Sequence, residues 1–520
     1  MSEDVAPSDP SVDDAAPIAP VPSWLRSLIA PFWIAAVALG TGWFLLDDQG
    51  FWFWSGAACC LVVSIPLMRR DYDLMSPWTV IVVAVYISTG LRGLFIALEI
   101  EGGRSINELF LLGRDEPYYY RPAVLFILAL AMLVVGYMTS GRLRPRPSRS
   151  RRATSFNSTR VTIAVIVCAA IGLAALVQFG ASTGGFSLSS LSAKRTTISG
   201  LNLSSTYQSS GQWRILNQFA PIALWVQLAH YAKQGARISP LTPRGVWVGL
   251  LFLNAVALPI YASSRADIVY IVLGALVVQL ALRPESISLR PVLTGSAVAL
   301  ILISILTTAR GVAAEETSDG STGVSSQALI DAFVLSRTFT DIPATGNIIN
   351  AVPDRLPYAS GETIAGWAVA PIPRSVWPDK PIVSAGPTIG ILIYGNERSG
   401  VPPGMIAESY WNFGVAGIVV LPILCGVFLR VLGERWRSRS KVDPGAAVLM
   451  AGVAMPTGVY LMTNSIGSAP FQALIALILL VPVVAFVRDR GPARARAHRG
   501  SRAHSVQIRG TFAEAQLPLR

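Results

Sequence analysis

The sequence predicts an all-α protein, a polytopic transmembrane helical bundle of about twelve spans with a large, partly helical extracytoplasmic loop. Three observations predict it. Of 520 residues, 52% are hydrophobic and only 14% are charged, with a mean hydropathy of +0.52; a water-soluble core of ordinary composition does not bury that much apolar surface. Apolar runs recur at roughly 20 residues, the helix length that crosses a hydrocarbon layer of ~30 Å. Lysine and arginine are concentrated in alternate connecting segments, as insertion of successive spans requires.

Residues 1–22, "MSEDVAPSDPSVDDAAPIAPVP", are acidic, rich in Pro and Ala, and lack a basic leader. They predict a disordered cytoplasmic N-terminus, and the first span then stays as an anchor. A membrane domain follows over 23–308, with nine runs at about 27–46, 50–68, 78–98, 122–140, 161–180, 213–232, 245–262, 267–282 and 291–308. The sixth is interrupted by Arg214, Asn217, Pro221 and His230, and the eighth is short. Residues 309–408 form the predicted extracytoplasmic loop. Its "SSQALIDAFVLSRTFTDIPATGNIINAV" has near-helical apolar spacing, and "SGETIAGWAVAPIP" is apolar enough to lie in the membrane interface. Three more runs (410–429, 446–463 and 469–487) complete a second membrane segment, 409–487. Residues 488–520 are a basic, disordered cytoplasmic tail. A nine-plus-three division argues against a transporter built of two six-span repeats with a site at the midplane.

With both termini cytoplasmic, the inside segments hold 28 of the 42 basic residues and the outside segments 18 of the 30 acidic ones. The excess positive charge is thus an orientation signal. A nucleic-acid partner is not needed to explain it, because the basic runs are Pro/Ser/Arg linkers beside spans, where anionic membrane lipid is the partner. Cys59, Cys60, Cys168 and Cys425 all lie inside predicted spans and form no C-x-x-C pair. The three histidines do not cluster, so neither a disulfide framework nor a metal centre is expected, and no cofactor is called for.

Arginines on the outer side need a reason, since insertion selects against them there and burying one costs about 2.5 to 3.5 kcal/mol. Arg92 lies near the outer end of the third span, Arg214 starts the sixth, Arg265 joins the seventh to the eighth and Arg310 closes the ninth. Separate helices thus bring guanidinium groups to one depth, the outer headgroup plane. Arg337, Arg374, Lys380 and Arg398 come from the loop above. Guanidinium forks match adjacent phosphates bidentately. For each one singly, snorkelling to headgroups or pairing with a nearby carboxylate, such as Arg265 with Asp267, is the competing reading, and for Arg92 and Arg398 structure comes first. In "PIPRSVWPDKP", Pro371, Pro373, Pro378 and Pro381 fix an extended backbone that holds Arg374 and Lys380 in place. Trp377 is either an interfacial anchor or a sugar-stacking platform.

The run "IPRSVWPDKP" (372–381), followed by "PPGMIAESYWNFGVAGIVVLPILCG" (402–426), resembles the bacterial oligosaccharide repeat-unit polymerases, the Wzy-type O-antigen polymerases. The matching positions are Pro373, Arg374, Trp377, Pro378, Lys380 and Pro381, then Glu408, Tyr410, Asn412, Phe413, Gly414 and Gly417. The resemblance is weaker at "SSRADIVYIVLG" and "TTARG" and elsewhere rests on the number of spans. It implies a glycosyltransferase that moves a growing glycan from one undecaprenyl pyrophosphate to the terminal sugar of another lipid-linked repeat unit. Its partners would be polyprenyl-pyrophosphate-linked oligosaccharides, a flippase and a chain-length regulator. A pyrophosphate clamp is then expected from Arg214, Arg265, Arg310, Arg337, Arg374 and Lys380, with Trp377 and Tyr410 toward the glycan. A general base is expected at Glu408, with Asp341 and Asp267 behind it. Glu408 serves equally well as a salt-bridge partner of Arg374 or Arg310. Gly414, Gly417 and Gly426 read as a small-residue face for close helix approach. Two other functions remain open: a glycan ligase of related architecture, and a flippase or other transporter of lipid-linked sugars.

Overall fold

A computed structural model describes residues 50–69, 72–99, 111–140, 154–182, 211–236, 238–262, 264–283, 340–370, 372, 376–377, 385–395 and 401–489. Among them the fold is all-helical apart from one isolated β-bridge. Eight helices are long and apolar enough to cross a membrane. These are α1 (Gly50–Met68), α2 (Pro77–Ala97), α3 (Pro117–Thr139), α4 (Ser158–Ser182), α7 (Pro243–Tyr261), α12 (Gly404–Ser440), α13 (Pro444–Thr463) and α14 (Ser468–Val487). Each coincides with a predicted span. Shorter helices α5 (Gly211–Asn217), α6 (Phe219–Lys233) and α8 (Arg265–Leu282) fall on two others. The runs at 27–46 and 291–308 lie outside the described residues. In the predicted loop, α9 (Ile342–Ala351), α10 (Glu362–Ala365) with the 3-10 turn Gly366–Val369, and α11 (Gly386–Tyr394) are helical.

Four helices begin on the same local device, an oxygen-bearing side chain followed within two residues by proline. Ser76 accepts from the Trp78 N–H at 3.3 Å, Thr242 from Gly245 at 3.2 Å, Asp341 from Ala344 at 2.6 Å and Asp443 from Gly445 at 2.9 Å. Each satisfies an amide that the first turn leaves without an intrahelical acceptor, and proline costs nothing at a position whose N–H would be unused.

Two apolar clusters hold the bundle. One joins α1, α2, α3, α9, the first half of α12 and the end of α13; the other joins α4, α6, α7, α8, the start of α13 and α14. The sixth predicted span is broken at Gln218, and α6 is buried on nearly every face, which explains its tolerance of Gln227 and His230. At the break, Asn217 donates to the Gly172 carbonyl at 3.0 Å.

Helices α3 and α12 run parallel in close contact: Arg121 meets Tyr410 at one end, and Gly136 meets Ile423 further along. A methyl group on Gly136 would stand 2.0 Å from the Ile423 carbonyl oxygen, and one on Gly426 would stand 2.2 Å from that of Leu133. Of the three glycines expected to form a small-residue face, Gly426 serves the approach of α3, and Gly417 that of the short segment before the bend. Gly417 abuts the Ser409 carbonyl across the bend, and Gly414 marks the bend itself.

At the far ends of α3 and α12 charged side chains pair with one another. Glu434 pairs with Arg430 at 3.2 Å and Arg437 at 3.0 Å, and Arg437 lies 3.7 Å from Asp73. Phe156 and Arg488 form the bridge, flanked by Asn157 N–H to Val487 O and Asp489 N–H to Ser155 O, each 2.9 Å. Asp443 accepts from Arg488 at 2.6 Å and Thr154 at 2.7 Å.

Candidate functional site

The other end of the bundle gathers the residues of interest, where α3, α12 and α14 start and α2 and α13 finish. The α12 motif "ESYWNFG" does not run straight into a span. Phe413 (φ −138°, ψ 19°) and Gly414 (φ 58°, ψ −142°) interrupt the helix, a backbone state that side chains oppose and glycine admits. The residues before the break, Gly404–Asn412, thus form a short helical segment whose direction is set independently of the long span that follows.

That segment places Glu408 and Tyr410 on different faces, since two residues turn a helix through about 200°. Glu408 is fully buried, at 0% exposure. One carboxylate oxygen accepts the Ile466 N–H, in the turn between α13 and α14. Its other oxygen, Oε1, completes no hydrogen bond of standard geometry among the described residues, and the Thr363 hydroxyl is the side chain that interacts with the carboxylate. Tyr410 turns instead toward α3, where Arg121 donates to its hydroxyl at 2.6 Å and stacks over its ring at 5.7 Å. Arg121 is exposed. The Tyr358 ring lies 6.5 Å from that of Tyr410.

Asn412 ties the segment to the chain at 361–363. Its Oδ1 accepts the Gly361 N–H at 2.8 Å, and its Nδ2 donates to the Thr363 hydroxyl at 2.7 Å and the Glu408 carbonyl at 2.8 Å. Trp411 adds two bonds, donating to the Pro357 carbonyl and accepting from the Ala359 N–H, each at 3.0 Å.

Asp341 is 1% exposed and forms an ion pair with the equally buried Arg92, while also capping α9. Its neighbour Thr340 lies against Gly404, one turn before Glu408, and binds the Met462 carbonyl through N–H and hydroxyl. A π-helical turn, Tyr86–Leu91, immediately precedes Arg92 and re-aims it inward. Asp267 pairs with Arg214 at 3.7 Å, both partly exposed; the partner anticipated for it, Arg265, starts α8. Trp377 is 40% exposed. Arg310, Arg337, Arg374, Lys380 and Arg398 lie outside the described residues.

The structure thus brings Glu408, Tyr410 and Asp341 to one end of the first cluster. Arg121, Trp367 and Ser465 belong to the same region and were not singled out by sequence. For Arg121 a signal existed: an arginine in "YYYR" at the outer end of a predicted span. Among the described residues, no group of three or more His, Cys, Asp or Glu side chains is placed to hold a metal ion. Comparison with family models, curated proteins and solved structures gives no match.

Proposed function

We propose that the chain polymerises polyprenyl-pyrophosphate-linked oligosaccharide repeat units at the outer face of the cytoplasmic membrane, as an inverting glycosyltransferase. One observation carries this reading: the "ESYWNFG" segment sets a buried carboxylate and a tyrosine bearing an exposed guanidinium on separate faces of one short helix. Repeat-unit transfer needs both chemistries, a proton acceptor for the attacking hydroxyl and a cation for the departing pyrophosphate, and this one segment carries both. The acceptor hydroxyl attacks the anomeric carbon of the donor glycan, the bond from that carbon to the pyrophosphate oxygen breaks, and the hydroxyl proton passes to a carboxylate. Polyprenyl pyrophosphate leaves with the bonding electrons. Its charge grows as the bond breaks, so a fixed cation stabilises the transition state more than the ground state.

Of the three candidate bases, Asp341 is held by Arg92 and Asp267 by Arg214. Glu408 has no cationic partner among the described residues and is met only by uncharged donors, the Ile466 N–H and the Thr363 hydroxyl, which favours it as proton acceptor. Arg121, which contacts the motif at Tyr410, joins the expected clamp of Arg214, Arg265, Arg310, Arg337, Arg374 and Lys380. A flippase that delivers the lipid-linked units and a chain-length regulator are the protein partners this reading implies.

The test is reconstitution of the purified chain in liposomes with lipid-linked oligosaccharide. A ladder of elongated products without ATP or nucleotide sugar is expected. Passage of the substrate between leaflets without elongation would establish the transport reading, and transfer only to a different acceptor would establish the ligase reading.

A further inference from the structure

Three buried polar atoms on segments packed around the α13–α14 turn complete no hydrogen bond of standard geometry among the described residues: Glu408 Oε1, Ser465 Oγ and Trp367 Nε1. Their proximity follows from their contacts. Glu408 binds the amide of Ile466, the residue after Ser465, and Trp367 lies over Gly467, whose added methyl would meet its Cδ1 at 2.3 Å. A buried polar group without a partner costs roughly 1 to 3 kcal/mol, so three such groups on adjoining segments call for a common occupant.

We infer that Glu408, Ser465 and Trp367 form a subsite for a hydroxyl-rich ligand, distinct from the anion-facing side at Tyr410 and Arg121. The donor and acceptor types decide the chemistry. A carboxylate oxygen accepts from hydroxyls and repels phosphate, an indole N–H only donates, and a serine hydroxyl does both. A sugar ring offers all the complementary groups and an apolar face for the indole. On the proposed polymerase reading, the occupant is the terminal sugar of the acceptor glycan.

The subsite is covered. The α10 segment and its 3-10 extension, Glu362–Val369, contain no fully buried residue and are held by few apolar contacts, Ile364 on the first cluster and Trp367 against Phe471 at 5.4 Å. They follow two consecutive left-handed residues, Ser360 (φ 47°) and Gly361 (φ 92°). Asn412 fastens them through Gly361 and Thr363. It is the latch of a cover that lifts to admit the sugar.

The experiment uses the full chain in lipid nanodiscs, an array of free oligosaccharides lacking lipid and phosphate, and inorganic pyrophosphate. The wild-type chain is expected to retain at least one glycan. Ser465→Ala and Trp367→Phe should each weaken that binding about tenfold, the loss of one hydrogen bond to a charged or buried group, and leave pyrophosphate binding intact. Arg121→Gln should do the reverse. Asn412→Ala should raise the glycan association rate. Thermal melts identify any variant that fails to fold, and Ser465→Ala, the smallest change, carries the decision in that case. No glycan bound by the wild-type chain, or equal binding by Ser465→Ala, overturns the subsite. Failure of lipid-linked units to elongate while glycan binding follows this pattern removes the polymerase reading and upholds the subsite.

Discussion

Arg92 and Asp341, 249 residues apart in sequence, form an ion pair that is closed to solvent on both sides. Removing one partner leaves an uncompensated charge in the interior, at about 3 to 5 kcal/mol, whereas replacing both with uncharged groups of similar volume costs far less. Arg92→Met should therefore lower the thermal unfolding temperature sharply in detergent, and adding Asp341→Asn should recover much of the loss. A double variant no more stable than Arg92→Met would show that the pair is not the coupling.

The parallel contact of α3 with α12 predicts a size threshold. Gly136→Ala places a methyl group against the backbone of Ile423, where neither side can yield cheaply, and overpacking of this kind costs about 1 to 3 kcal/mol or more. Gly249 on α7 has nothing within 4 Å of the same added group. Gly249→Ala should melt like the wild-type chain, and Gly136→Ala well below it.

Gly414→Ala should destabilise the chain by about 1 to 3 kcal/mol, because its φ of 58° with ψ of −142° is nearly closed to residues with a side chain. Its added methyl group meets Tyr358 at 3.4 Å, an ordinary contact, so the penalty comes from the backbone. Limited proteolysis and melting together would show whether the loss is confined to this bend.

Arg214 and Asp267 are 3.7 Å apart and more than a third exposed, a setting in which an ion pair contributes under about 1 kcal/mol. Arg214→Ala should leave the melting temperature almost unchanged. A fall in elongation by that variant would then report loss of contact with the lipid-linked substrate, and unchanged elongation would remove Arg214 from the clamp.

The helices were legible because their signals are local. Apolar run length located the eight long spans, while the capping pairs Ser76–Pro77 and Asp443–Pro444, which begin two of them, played no part in it. Glu408 was legible as a candidate through the spacing of its neighbours. Its helix, however, begins at Gly404 rather than after the loop, because an apolar count cannot see that Gly404–Asn412 is a separate piece before a bend. Partners set by tertiary contact were not legible: Asp267 sat beside Arg265 in sequence, yet Arg214 from another helix reaches it. Arg121 looked like one more charge at a span's end, and only the parallel course of α3 and α12 brings it to Tyr410.

The bridge between Phe156 and Arg488 constrains how the chain is made. Arg160 donates to the carbonyl of Arg488, 328 residues downstream, and at about 5 to 20 residues per second the ribosome needs roughly 16 to 66 s to supply that acceptor. Through that interval the leading edge of Ser158–Ser182 must be held by the insertion machinery or by water. The clasp therefore closes last, and an engineered stop codon ahead of Val487 would release a chain in which Arg160 and Asn157 lack their carbonyl acceptors while the rest of Ser158–Ser182 keeps its packing on the second cluster.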